Sequence, residues 1–316
     1  MKVYITRKLP EIAEKHLKAN KLDVSSFKYD RAISKKELIK NAKDADALIT
    51  LLSDKIDKEI IDNLPKCKVI ANYAVGYNNI DTVYAKSKNI VVTNTPDILT
   101  DSTADLAMAI LLTCSRRIIE GETYVRAGKF DGWKPNLLLG YEFRNKTFGI
   151  IGAGRIGQAT AVRAKAFGMK IIYYNRSQKE NFEKEQNAKK VSLNQLLKTS
   201  DFISVHLPLT PQTFHLLNKE NLKLLKKNAI IINTARGEVV DENELIKLLK
   251  TNKIYAAGFD VYENEPAINK ELLKLKNVLV LPHIGSATIE ARNAMAKLVA
   301  DNVISVLKHK KGVTPV

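Results

Sequence analysis

The chain has 316 residues, 45% of them hydrophobic and 27% charged, a balance that favours ordered globular domains with sizeable cores over disorder. Its formal net charge of +17 comes from lysines scattered along helical faces, not from basic clusters interleaved with aromatics, which argues against nucleic acid as a partner and leaves a solvated surface able to draw in anions. No apolar run reaches the length of a membrane span, no signal-peptide pattern is present, and Cys67 and Cys114 lack zinc or disulfide spacing, so a cytoplasmic protein with two buried thiols and no metal is expected.

Over the first hundred residues, strand-like runs at 2–6, 22–27, 47–50, 68–71 and 90–93 alternate with helical stretches, the first at 9–20 and the next from Ser34. Ser34 and Glu37 have the spacing of a capping box. This rhythm predicts a parallel sheet with helices on both faces. A long, mostly apolar helix is then predicted over 101–127 as a connector, followed by a loop that holds the single tryptophan, Trp133.

The stretch from Lys146 to Gly168 reads KTFGIIGAGRIGQATAVRAKAFG: an apolar strand, a glycine-rich turn, and an alanine-rich helix closed at Gly168. Gly152, Gly154 and Gly157 match the G-x-G-x-x-G spacing, in which one glycine permits the tight turn, one lets the backbone approach a pyrophosphate and one lets helix and strand pack closely. The helix N-terminus then offers N–H groups to phosphates, so a dinucleotide is expected. Further strands are predicted at 169–174, 202–205, 229–233, 254–259 and 278–281, with N-cap signals at Ser192 with Gln195 and at Asp241 with Glu244. A final helix over 287–308 is long enough to pack back on the first domain.

The expected fold is therefore α/β, with two Rossmann-like domains built on parallel sheets. Residues 1–99 and 286–316 would form a discontinuous, flavodoxin-like substrate-binding domain and 100–285 the dinucleotide-binding domain, with ligands in a cleft between them. Three segments place reactive side chains just after predicted strands: INTARG with Arg236, FDVYENEP with Asp260 and Glu265, and LPHIGSAT with His283. Together they supply what hydride transfer to a carbonyl needs. A glutamate bonded to one imidazole nitrogen fixes the tautomer and raises the histidine pKa, leaving the other nitrogen to donate a proton. An arginine can hold a substrate carboxylate and polarise the neighbouring oxo group. His16 and His309, in lysine-rich helices, are expected to face solvent, and neither His206 nor His215 is required for chemistry.

Through YAVGYNNID (73–81), LTDSTADLA (99–107), GIIGAGRIGQ, HLPLTPQT (206–213), INTARGEVVDE, GFDVYENEP and LPHIGSAT, the chain resembles the D-isomer-specific 2-hydroxyacid dehydrogenases over nearly its whole length. Within them it looks most like the glyoxylate and hydroxypyruvate reductases, partly because Trp133 precedes LLGYEFRNKTFGIIG. The resemblance implies Arg236, Glu265 and His283 as the catalytic set, and the backbone of Val75 and Gly76 as a hold on the substrate carboxylate. It implies cofactor contacts from Thr103, the Arg155–Ile156 turn, Leu207, Pro208, Thr213, Thr234, Ala235, Asp260, His283 and Gly285, with Asp260 at the nicotinamide carboxamide. It further implies a homodimer paired through the cofactor domain, with Trp133 reaching the partner's active site.

At the end of the strand MKIIYYNRSQKE, NAD-specific enzymes generally carry an acidic residue for the ribose hydroxyls. Asn175, Arg176 and Ser177 stand there instead, so NADPH is expected to be preferred, with NADH possible. Two other functions are open: a D-3-phosphoglycerate dehydrogenase, disfavoured because the chain ends soon after its last helix, and a dinucleotide-sensing corepressor of the C-terminal-binding-protein type, disfavoured by the lack of long low-complexity tails.

Overall fold

The computed structural model describes residues 1–316, which divide into two compact units, Met1–Leu99 with Ser286–Val316, and Thr100–Gly285. In the first, strands β1 (Lys2–Ile5), β2 (Asp23–Ser26), β3 (Ala47–Thr50), β4 (Val69–Asn72) and β5 (Val91–Thr93) form a sheet in the order β2-β1-β3-β4-β5. All its pairings are parallel, and this is the flavodoxin-like order. β3 and β4 are buried along their whole length, as expected where helices cover both faces. Ser34 accepts from the Glu37 N–H and Glu37 reaches back to Ser34, completing the capping box. The final helix, Ile289–His309, capped by Thr288, packs on the helix Glu11–Ala19 and on β4. His16, its side chain 32% exposed, also has a partner: its Nε2 lies 2.7 Å from Asp301 and ties those two helices together. A pattern of lysines around His16 could not disclose a partner 285 residues away.

The second unit carries β6 (Thr147–Ile151), β7 (Lys170–Tyr174), β8 (Lys189–Lys190), β9 (Phe202–Val205), β10 (Ile230–Asn233), β11 (Ala256–Phe259) and β12 (Val278–Val280). They form one sheet, β12-β11-β10-β9-β6-β7-β8, again parallel throughout. The order reverses between β6 and β9, and open sheets of this kind bind ligands at the carboxyl ends of strands beside such a reversal. Phe148, Phe202, Phe259 and Tyr173 are fully buried.

The connector expected over 101–127 is two helices, Thr100–Arg116 and Ile118–Arg126. Arg117 between them is left-handed, at φ 52°. The Ser115 carbonyl accepts the Tyr141 N–H at 3.0 Å and so leaves the helical ladder. Gly140 makes that approach possible, since a Cβ there would lie 2.1 Å from the Ser115 oxygen.

Candidate active site

Each side chain of interest in the second unit follows the carboxyl end of a strand. After β6, Gly152 turns the chain at φ 100°, where a Cβ would come within 2.8 Å of the His206 carbonyl. A Cβ on Gly157 would sit 2.2 Å from the Gly152 oxygen, so this glycine lets the helix Arg155–Ala166 approach its strand. Nothing lies within 4 Å of a Cβ built on Gly154, and no side chain caps the helix there. The backbone is thus exposed at the end where a helix attracts anions. Gly157→Ala is expected to cost about 1–3 kcal/mol through overpacking against backbone, read as a lower urea midpoint. An unchanged midpoint would contradict this packing.

The β9 loop abuts the same turn, with Leu207 against Gly152 and Thr213 Oγ1 donating to the Pro208 carbonyl at 2.6 Å. His206 lies at its base; burial drives its pKa down to about 3, and its Nε2 meets Ser204 Oγ at 2.8 Å. At the end of β7, Asn175 donates to the Ser177 carbonyl at 2.9 Å, while Arg176 and Ser177 are exposed. Lys190 on β8 reaches the Arg176 carbonyl at 3.4 Å and adds a cation that the strand-end pattern did not single out.

After β10, the buried Asn233 shapes the next turn, accepting from the Ala235 N–H at 3.0 Å and donating to the Arg236 carbonyl at 2.8 Å. Sequence reasoning passed over Asn233, although a lone amide ending the run III was a usable signal. Thr234 Oγ1, in the same turn, is buried without a protein partner. Burial pulls the Arg236 guanidinium below its usual pKa, with Glu265 and Glu238 pulling the other way. It remains a cation at neutral pH.

Asp260, at the end of β11 and 1% exposed, accepts from the N–H groups of Ile284 and Gly285, both at 2.7 Å. Thr103 completes this corner, its hydroxyl 3.2 Å from the Gly285 carbonyl. The two bonds to Asp260 anchor the residues after His283, which is left-handed at φ 54°. For a residue with a Cβ that conformation costs about 1–2 kcal/mol. It leaves His283 Nδ1 at 2.8 Å from Glu265 Oε2, while Glu265 Oε1 accepts the Tyr262 N–H at 3.0 Å. Burial pushes the Glu265 carboxyl up, but the His283 bond and charge, the Tyr262 N–H and the Arg236 charge together hold it below its ordinary value. The arrangement is a carboxylate-oriented imidazole with its other nitrogen unused by that bond, near a guanidinium.

In the first unit, the Val75 carbonyl is taken by Asn94 at 2.8 Å and the Gly76 carbonyl by Asn72 at 2.7 Å. That leaves backbone N–H groups as the polar face of this half-buried turn. Trp133 is 84% exposed. Both cysteines are free and buried, their thiols pushed up to about 12 by burial.

Residues 108–285 match the model of the D-isomer specific 2-hydroxyacid dehydrogenase, NAD binding domain. The glyoxylate reductase of Thermococcus litoralis is 53% identical over 97% of this chain and 94% of its own length. That of Pyrococcus horikoshii is 51% identical over 99% and 94%. The structure of an NADPH-dependent glyoxylate/hydroxypyruvate reductase from Sinorhizobium meliloti, in complex with NADP and malonate, matches with a TM-score of 0.89 at 31% identity, covering 100% of this chain and 96% of that one.

Proposed function

Because the chain belongs to the D-isomer specific 2-hydroxyacid dehydrogenase family, we propose that it reduces a small 2-oxoacid, glyoxylate or hydroxypyruvate, to the corresponding D-2-hydroxyacid or glycolate, with NADPH preferred over NADH. The observation that carries this reading is the His283–Glu265 pair, 2.8 Å apart, with Arg236 as an electrostatic neighbour of the carboxylate. The Gly152–Gly157 turn and the helix after it would hold the pyrophosphate of a reduced nicotinamide dinucleotide, which would supply the hydride that the 2-carbon accepts. His283 Nε2 delivers the proton that the carbonyl oxygen gains, and Glu265 holds the ring and stabilises its charged form. Arg236 binds the substrate carboxylate and polarises the adjacent oxo group. The N–H groups of the Val75–Gly76 turn are of the kind that also holds a carboxylate. The test is a panel of glyoxylate, hydroxypyruvate, pyruvate and 3-phosphohydroxypyruvate with each reduced nicotinamide. Highest kcat/KM on 3-phosphohydroxypyruvate would contradict the substrate class.

The preference for NADPH rests on the end of β7, where Asn175 brings no negative charge and Arg176, Ser177 and Lys190 are grouped. An arginine and a hydroxyl can pair with a 2′-phosphate, whereas a carboxylate would repel it. Asn175→Asp with Arg176→Ala is expected to weaken NADPH binding about tenfold or more, the scale of one charge-assisted contact, with NADH binding retained, as read by quenching of nicotinamide fluorescence. Parental preference for NADH, or an unchanged preference in the double variant, would contradict this placement.

The same reading includes a homodimer through the second unit. The helix Ile118–Arg126 has no buried residue, and Ile118, Ile119, Val125, Phe130, Trp133 and Leu139 all stand exposed within one short segment. So much exposed apolar surface marks an interaction face. Light scattering is expected to return twice the chain mass, and a monomer would contradict the pairing.

A further inference from the structure

A second histidine–carboxylate pair lies next to the one already described. His215 Nε2 is 2.9 Å from Glu263 Oε1, two residues before Glu265. The Glu263 backbone N–H donates to Glu242 Oε1, also at 2.9 Å. Glu242 opens the helix Glu242–Lys250 and is 4% exposed, an unusual burial for an acid at a helix start. Gly237, next to Arg236, completes the contact: a Cβ there would lie 1.9 Å from the Tyr262 carbonyl carbon and 2.2 Å from the Glu263 nitrogen. The turn from Tyr262 to Glu265 is therefore held on three sides, by Glu242 at its backbone, His215 at the Glu263 side chain and Gly237 beneath.

We propose that Glu242, with His215, is a positioning residue that clamps Glu263 and so fixes the turn presenting Glu265 to His283. The proposal rests on the reading of Glu265 as the partner of the proton-donating imidazole. Nothing in the clamp touches the reacting atoms. Its effect passes through one backbone bond: with the Glu263 N–H held, Glu265 has its Oε1 on Tyr262 and only Oε2 left for the imidazole. The carboxylates of Glu238, Glu263 and Glu265 face Glu242, and burial with these like charges raises its pKa, opposed by the Glu263 N–H. A hydrogen-bond acceptor is what the position needs, and a neutral one should serve.

Glu242→Gln and Glu242→Ala separate the clamp from simple support of the fold. Glutamine keeps an acceptor for the Glu263 N–H, so amide exchange across residues 260–266, turnover and the pH profile of glyoxylate reduction should stay parental. Alanine should speed exchange of that segment about tenfold and lower kcat about tenfold or more with cofactor affinity kept, the loss also expected of Glu265→Gln. Unchanged exchange in the alanine variant would overturn the clamp. Glutamine as damaging as alanine would overturn it as well, by showing that the charge is what matters. Faster exchange with a parental rate would instead sink the role given to Glu265, on which the clamp's purpose depends.

Discussion

His283→Ala is expected to lower the turnover of glyoxylate by about two to four orders of magnitude, the range lost when a positioned general acid is removed. The urea midpoint should change little, because the imidazole is one-third exposed and its structured contact is the one to Glu265. Near-normal turnover in a folded variant would sink the assignment. Glu265→Gln tests the pairing from the other side. In the parent the carboxylate is held below its ordinary pKa, so it is ionised through the neutral range and loses its charge only as pH falls through that lowered value. An amide in its place keeps the size but offers no anionic acceptor 2.8 Å from the ring to hold it for proton delivery. Turnover in the glutamine variant is therefore expected to fall about tenfold or more, with nicotinamide affinity kept. Parental turnover would count against the pairing.

Arg236→Lys is expected to reduce kcat/KM for 2-oxoacids about a hundredfold, the scale of losing one preorganised donor to a developing oxyanion, while nicotinamide affinity stays near parental. Lysine retains the charge but not the planar pair of donors that matches a carboxylate. The side chain is also placed by the Asn233-shaped turn, its Nη1 donating to the Ala235 carbonyl at 2.6 Å, so a compact ammonium would not reach the same position. Parallel losses of oxoacid turnover and cofactor affinity would contradict a substrate role for this residue.

What the sequence disclosed and what it hid divide along contact range. Strands β3 and β9 were legible to the residue because each is an apolar run bounded by local signals. The closeness of Glu265 and His283 was legible too, because both follow adjacent strands of a parallel sheet whose ligand edge is fixed by topology. The break at Arg117 was not, since the Tyr141 N–H that takes the Ser115 carbonyl comes from beyond both helices. The partner of His16 was hidden for the same reason, Asp301 lying near the other end of the chain. Glu242, between the capping residues Asp241 and Glu244, carries no local signal of its own, and only the fold shows its oxygen facing the Glu263 N–H.

The most direct test of the whole account is the product itself. Glyoxylate gives achiral glycolate, so hydroxypyruvate is the informative substrate, and chiral chromatography after its reduction by NADPH reads both reaction and stereochemistry. The account predicts D-glycerate alone, formed in equal amount to the NADPH consumed. L-Glycerate, or NADPH oxidation without glycerate, would contradict it.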